Sequence, residues 1–485
     1  MATLQTLLIY LIIYICVISL ISRDDEQAIR AHALASTIVV FFMTLIIWYS
    51  FNEKEPNFQF TSTIPILPEY SINFSLGVDG ISLCFVILTA FITPICIFAA
   101  KNVTKNYKQF IIYLMLIELF LLLVFLSTNV FFFYVFFEAV LIPMYLVIGI
   151  WGSRERKINA AFYFFLYTLA GSFFLLFGIY YLYKTTGTLD YQTLFDQVLS
   201  KEQQIFFWLF FFIPFAVKIP MFPFHIWLPE AHVEAPTIGS VILASLLLKL
   251  GSYGFLRYTM ALFPEGCKYF SAVISILAIL SIIYASLSTI RQNDLKRIIA
   301  YSSIAHMNLM VLGLFSFSHP AVTGAVYLMI AHGIVSPGLF FCVGVLYDRY
   351  QTRSLQHYSG LAQVMPLFCV FFFLFSCANM GFPGTSNFVG EFLIFIGIGS
   401  DNAYILPFSA TGIVLSAIYS IWLFNRVAFG TLKIESENGT EYAELNRAEF
   451  FILAVLVIPM IITGLDSSLI MDLVDLPVKQ ILTKI

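Results

Sequence analysis

Charge is scarce in this sequence. Asp, Glu, Lys and Arg together make up 11% of its 485 residues, against about a quarter in soluble globular chains, so most of its surface is not made for water. The few charges nearly cancel, at a net -3 with a pI near 6.2, which excludes the basic face that a nucleic-acid partner requires. The seven cysteines never occur as Cys-x-x-Cys. Without that spacing neither an iron–sulfur cluster nor a zinc site is indicated, and the cysteines read as small buried hydrophobes. A Gly-x-Gly-x-x-Gly dinucleotide fingerprint is also missing. The apolar run from Leu7 to Ile21 has no small-residue cleavage site and no Arg-rich flank, so it reads as a retained first span. Alternating ten-residue segments are lacking, which excludes a membrane barrel.

Long apolar runs are what the chain has instead: 60% of residues are hydrophobic, 53 of them Phe. A helix needs roughly twenty apolar residues to cross the hydrocarbon, and in lipid its backbone must satisfy itself. Runs of that kind recur about fourteen times, near 6–22, 33–51, 81–100, 109–127, 130–151, 158–183, 205–227, 237–257, 270–290, 298–315, 322–347, 364–400, 403–425 and 448–464. The expected fold is an all-α integral membrane bundle. Loops after odd-numbered spans hold sixteen of the 25 Lys and Arg, Lys296 and Arg353 among them, and loops after even-numbered spans with the tail hold seven, Arg257 among them. Such a bias places the odd loops on the matrix or cytoplasmic side and both termini opposite.

Two spans carry breaks. The seventh contains Lys218-Ile-Pro220-Met-Phe-Pro223 and the twelfth Gly381-Phe-Pro383-Gly384-Thr385; proline removes a donor and blocks the preceding turn, so each helix should open there. Both breaks stand fourth in successive groups of five spans. Five is odd, so the second group should run inverted, the arrangement in which paired broken helices mark an ion path. The chain thus divides into three N-terminal spans (1–108), a first five-helix repeat (109–258), an inverted second repeat (259–429), and a last span with a short tail (430–485).

Ionisable groups in mid-span cost about 2.5–3.5 kcal/mol each on insertion scales and are functional candidates by default. Here they are Glu118, Glu138, Lys218, Lys249, His306, His332 and Glu391. Snorkelling explains neither Lys218, beside a break, nor Lys249, with eight span residues still to come. Glu138 has no lysine in its own helix and needs a partner from another. Imidazole can relay a proton in either direction, which suits His306 and His332. Glu391 could be a carboxylate favoured by a helix N-terminus, and Glu118 an interhelical hydrogen bond. His225, Glu230, His232 and Glu234 in HIWLPEAHVEAP are metal-ligand types, but Pro229 and Pro236 mark an interfacial loop without cysteine. A polar plug or proton antenna is the better reading there than a metal site.

The stretches FFEAVLIPMYLVIGIWG, FAVKIPMFPFHIWLPEAHVEAPTIGSVILASLLLKLGSYGFLRY, DLKRIIAYSSIAHMNLM, AHGIVSPGLFFCVGVLYDR and GTSNFVGEFLI resemble the antiporter-like membrane subunits of respiratory complex I, NADH:quinone oxidoreductase. The likeness runs from about residue 75 to 430. Glutamate at 391, where sibling subunits carry lysine, and a short tail after Gly464 favour the subunit 4 branch. The resemblance implies a proton-translocating subunit of an enzyme, with no redox centre of its own. It pairs Glu138 with Lys218 at an entry half-channel, puts Lys249, His306 and His332 on a central axis, and makes Glu391 the exit group. Flavin, iron–sulfur clusters and quinone are then expected in partner subunits, and neighbouring antiporter-like subunits, lipid and protons as partners. The implied location is the mitochondrial inner membrane, with a bacterial plasma membrane as the alternative. The second functional reading is an Mrp-type cation/proton antiporter component.

Overall fold

The computed structural model describes residues 4–67, 72–433 and 443–485. Helices dominate them, as the cost of unpaired backbone in lipid demands. In chain order they are α1 (Leu4–Leu20), α2 (Glu26–Ser50), α3 (Gly80–Ala99), α4 (Tyr107–Leu126), α5 (Val130–Ala139), α6 (Leu141–Trp151), α7 (Lys157–Thr186), α8 (Tyr191–Asp196), α9 (Lys201–Lys218) and α10 (Trp227–Glu234). There follow α11 (Thr237–Ile242), α12 (Leu248–Gly254), α13 (Pro264–Arg291), α14 (Leu295–Leu314), α15 (His319–Tyr350), α16 (Pro366–Asn379), α17 (Ser386–Asp401), α18 (Leu406–Ala428), α19 (Arg447–Leu465) and α20 (Ser468–Leu482).

Among the described residues eleven helices are long and apolar enough to cross a membrane, taking Val130–Trp151 and Thr237–Met260 each as one. Leu4–Leu20 and Pro366–Asn379 are apolar but shorter. Fourteen crossings are thus not all met by length and composition: α1 has 17 residues, α9 carries three charges within its 18, and α16 stops at the break after 14. Both breaks fall where the prolines lie: α9 stops at Lys218 and helix resumes at Trp227, and α16 stops at Asn379 with α17 beginning at Ser386.

Two features depart from the sequence reading. An antiparallel hairpin, β1 (Gln59–Leu67) and β2 (Ile72–Val78), precedes α3, so the all-α description needs this small addition. The tail after Gly464 forms α20, whose Leu473, Val474, Val478 and Ile481 are buried while Lys479 pairs with Asp475 at 2.6 Å on the outer face.

The described chain falls into two compact units. Unit 1 holds residues 1–218, 249–270 and 472–485. In it α7 and α9 pack closely because Gly171 and Gly178 leave no side chain between them: a Cβ at Gly171 would lie 3.3 Å from Pro214 and Val217, and one at Gly178 2.9 Å from Phe210. Unit 2 holds residues 219–248 and 271–471. Its centre is α15, whose span is wholly enclosed by protein. There α15 and α17 meet through Gly324, Gly390 and Gly397; a Cβ at Gly397 would lie 2.5 Å from the Ala321 nitrogen.

Candidate functional site

In unit 1 the end of α9 carries Lys218. Its side chain is 2% exposed, and its ammonium makes no hydrogen bond among the described residues. Instead it sits 4.7 Å from the centre of the Phe137 ring and 5.9 Å from that of Phe164, so ring faces replace part of the lost hydration. Glu138 is the next residue along α5 from Phe137, and its charge interacts with that of Lys218. Ser172, on α7, stands near Glu138, its hydroxyl donating to the Leu169 carbonyl at 2.9 Å. The close α7–α9 packing is therefore what sets Ser172 and Lys218 beside α5. The two residues expected to pair are electrostatic neighbours, without a hydrogen bond from the Lys218 ammonium among the described residues.

Lys249 is fully buried in α12. On either side the helix widens into π-type turns, Leu243–Leu247 and Phe255–Met260. Such bulges redirect side chains and gather at functional positions; nothing in residue composition distinguishes them from ordinary helix.

Arg257 corrects the sequence reading. It was expected in a loop, yet it lies inside the second wide turn, 4% exposed, with its Nη2 donating at 2.5 Å to both carboxylate oxygens of Asp79. Asp79 is the N-cap of α3, in a capping box with Ser82. The rings of Phe58, Tyr191 and Tyr253 surround the guanidinium at 5.0, 5.2 and 5.5 Å. Arg353 does lie in the loop after α15, and Lys296 stands in the first turn of α14 rather than in a loop, yet both are buried within unit 2: the Lys296 ammonium donates to the Ala235 carbonyl at 2.7 Å and Arg353 donates to that of Val233.

Unit 2 gathers three of the remaining candidates. His306 Nδ1 lies 3.2 Å from Glu391 Oε1, an ion-pair distance without the alignment of a hydrogen bond. The rings of His306 and His332 are 5.7 Å apart at 55°. Glu391 sits in the second turn of α17 rather than at its first amides. Gly381 closes the other side of the carboxylate: its φ is +71°, and a Cβ there would lie 2.3 Å from Glu391 Oε2. A cavity of about 20 Å³ adjoins His306, Glu391 and Tyr419, the space that a single water needs. A carboxylate and two imidazoles at these separations can pass a proton directly or through one water.

The HIWLPEAHVEAP side chains have separate partners. Glu230 pairs with Arg297, His232 stacks on Phe340 at 4.7 Å, and His225 packs edge-on against Tyr284 at 5.1 Å. No three His, Cys, Asp or Glu side chains among the described residues gather as a metal-binding group. Glu118 is buried in α4, and neither carboxylate oxygen makes a hydrogen bond among the described residues. The interhelical hydrogen bond that was one reading of it is not formed among the described residues.

An enclosed helical bundle with acid and base groups beside helix breaks defines a membrane ion-transfer protein. Residues 127–418 match the family described as NADH:quinone oxidoreductase/Mrp antiporter, TM. The chain is 47% identical to NADH-ubiquinone oxidoreductase chain 4 of Marchantia polymorpha, over 96% of this chain and 94% of that one. The chain 4 protein of Arabidopsis thaliana is also 47% identical, over 95% and 93%, and that of Metridium senile 44%, over 98% and 96%. A chain of a solved structure, respiratory complex I from Thermus thermophilus with bound NADH, superposes with TM-score 0.87 at 27% identity, covering 99% of this chain and all of that one. The chain belongs to the NADH-ubiquinone oxidoreductase chain 4 family.

Proposed function

We propose that this subunit of NADH:ubiquinone oxidoreductase, a multi-pass protein of the mitochondrial inner membrane, moves protons along Glu138, Lys218, Lys249, His306, His332 and Glu391. The observation that carries the reading is the His306–Glu391 contact beside a broken helix, with His332 one ring away. A membrane scaffold has no use for an acid and two bases enclosed at that depth. Glu138 and Lys218 form the entry pair, and Glu391 the exit group. The two five-span groups, 109–258 and 259–429, act as inverted repeats, each with its own break. Electrons pass through flavin and iron–sulfur clusters to quinone in partner subunits, and neighbouring antiporter-like subunits flank this one.

Purification of the native assembly tests the reading against an Mrp-type antiporter. The chain is expected to migrate with NADH-oxidising activity, flavin and iron–sulfur absorbance. Recovery in a particle that exchanges cations for protons without NADH oxidation would replace it.

Gly381→Ala should lower pumping several-fold while the complex still assembles. The methyl group would meet the Glu391 carboxylate, and a non-glycine residue at positive φ costs about 1–3 kcal/mol. Gly384, at φ +89° with nothing within 4 Å of a Cβ, supplies the control, since Gly384→Ala carries a similar backbone cost without touching the carboxylate. Proton uptake per NADH oxidised, compared in the two variants, separates the contact from the strain.

A further inference from the structure

A pocket of about 460 Å³ opens in unit 2 at the polar end of α18, and none of His306, His332 and Glu391 lines it. It falls in the usual range for ligand sites. Its polar lining includes Asn293, Gln356, Ser359, Asn425, Arg426 and Lys433, with Trp422 one turn back along α18. No acidic residue lines it among the described residues.

The pocket is a built feature. The loop 355–363 and the end of α18 are held together by backbone and side-chain bonds: the Gly360 amide and the Ser359 hydroxyl both donate to the Phe429 carbonyl, at 3.1 and 3.0 Å. Gly360 and Gly430 have φ of +73° and +101°, and a Cβ at Gly430 would strike the Ser359 hydroxyl at 2.6 Å. Lys433 is steadied by the Gln356 carbonyl at 3.4 Å. Arg426 is exposed and has no hydrogen bond or ion pair to spend its five donors on among the described residues.

One face of α18 leads out of this pocket. Val414, Ile418 and Ile421 follow one another towards Asn425 at helical spacing, 60%, 48% and 49% exposed. A basic, polar mouth that continues into an exposed apolar stripe, with a tryptophan at the junction, matches one kind of molecule: a phosphate on a glycerol with an acyl chain below it. We propose that this pocket binds the headgroup of an anionic phospholipid, its phosphate on Arg426 and Lys433 and one acyl chain along Ile421, Ile418 and Val414. A free phosphate would satisfy the cations but not the stripe.

The test uses the intact complex in vesicles containing photoactivatable phosphatidylglycerol or phosphatidylcholine with the same labelled chain. Labelled peptides are mapped by mass spectrometry. Phosphatidylglycerol should label the 414–433 stretch preferentially, by roughly 30-fold, the factor that two basic contacts supply. Arg426→Gln with Lys433→Gln should remove that preference, and Arg426→Lys with Lys433→Arg should keep it. Excess inorganic phosphate should leave the labelling in place. Equal labelling by both lipids, labelling unchanged in the double glutamine variant, or displacement by inorganic phosphate would each overturn the proposal. So would a stretch unlabelled by either lipid but cross-linked to a neighbouring subunit, which would make it a protein contact.

Discussion

Lys218→Met will reduce quinone-linked turnover and proton pumping together, by about a hundredfold, the scale of a lost acid–base group. Electron transfer from NADH to an artificial acceptor should persist, because the proposed function leaves that chemistry to partner subunits. The ammonium is enclosed by Phe137 and Phe164 and has the Glu138 charge as its counterpart. A lysine placed like this holds or releases its proton according to where that carboxylate sits and whether it is charged. Methionine fills a similar volume without the proton, so packing against the two rings should survive. Lys218→Arg should fail almost as badly, since guanidinium does not release its proton at physiological pH. Wild-type turnover and pumping in assembled Lys218→Arg complexes would show that a fixed positive charge suffices, and the proton-carrier role would fall.

The second large effect is on assembly. Asp79→Ala leaves the Arg257 guanidinium buried in unit 1 without its carboxylate, a loss of about 3–5 kcal/mol for a broken buried pair. That is a large part of the stability of any domain, and the assembled complex should be scarce on native gels and inactivate at lower temperature. Removing both charges should cost far less, because well-packed apolar residues often replace a buried pair without penalty. Asp79→Leu with Arg257→Leu is therefore expected to recover much of the assembly lost in Asp79→Ala. If the double variant were no better than the single one, the pair would be needed for more than neutralising a buried charge.

Much of the candidate site was legible because lipid makes charge conspicuous. In a chain so poor in ionisable residues, each one inside an apolar run carries a stated cost, so Glu138, Lys218, Lys249, His306, His332 and Glu391 stand out without coordinates. The helix breaks were legible for a related reason, as proline and glycine change the backbone wherever they occur. Arg257 and Lys296 were misplaced because they lie at the ends of apolar runs, where sequence cannot tell a solvated loop from a buried turn, and the burial of Arg353 in its loop left no local signal. For Glu118 an interhelical hydrogen bond stood beside a functional role, and only the placement of the neighbouring helices could decide between them.

The sequence by itself determined the solvent, the helical architecture, the two breaks and the chemical kinds of group that can carry a proton. These follow from local rules: hydrophobic length, backbone satisfaction and proline geometry act within one stretch of chain. Tertiary structure decided which groups meet. His306 reaches Glu391 because α14 and α17 pack against the same enclosed α15, and Gly381 folds back onto that carboxylate with a positive φ. The end of α9 that carries Lys218 lies close against α7 because two glycines of α7 leave room for it. The π-type turns flanking Lys249 and the Asp79–Arg257 pair likewise join residues far apart in the chain or reset the phase of a helix. No local pattern encodes such contacts, since they depend on how whole helices fit side by side.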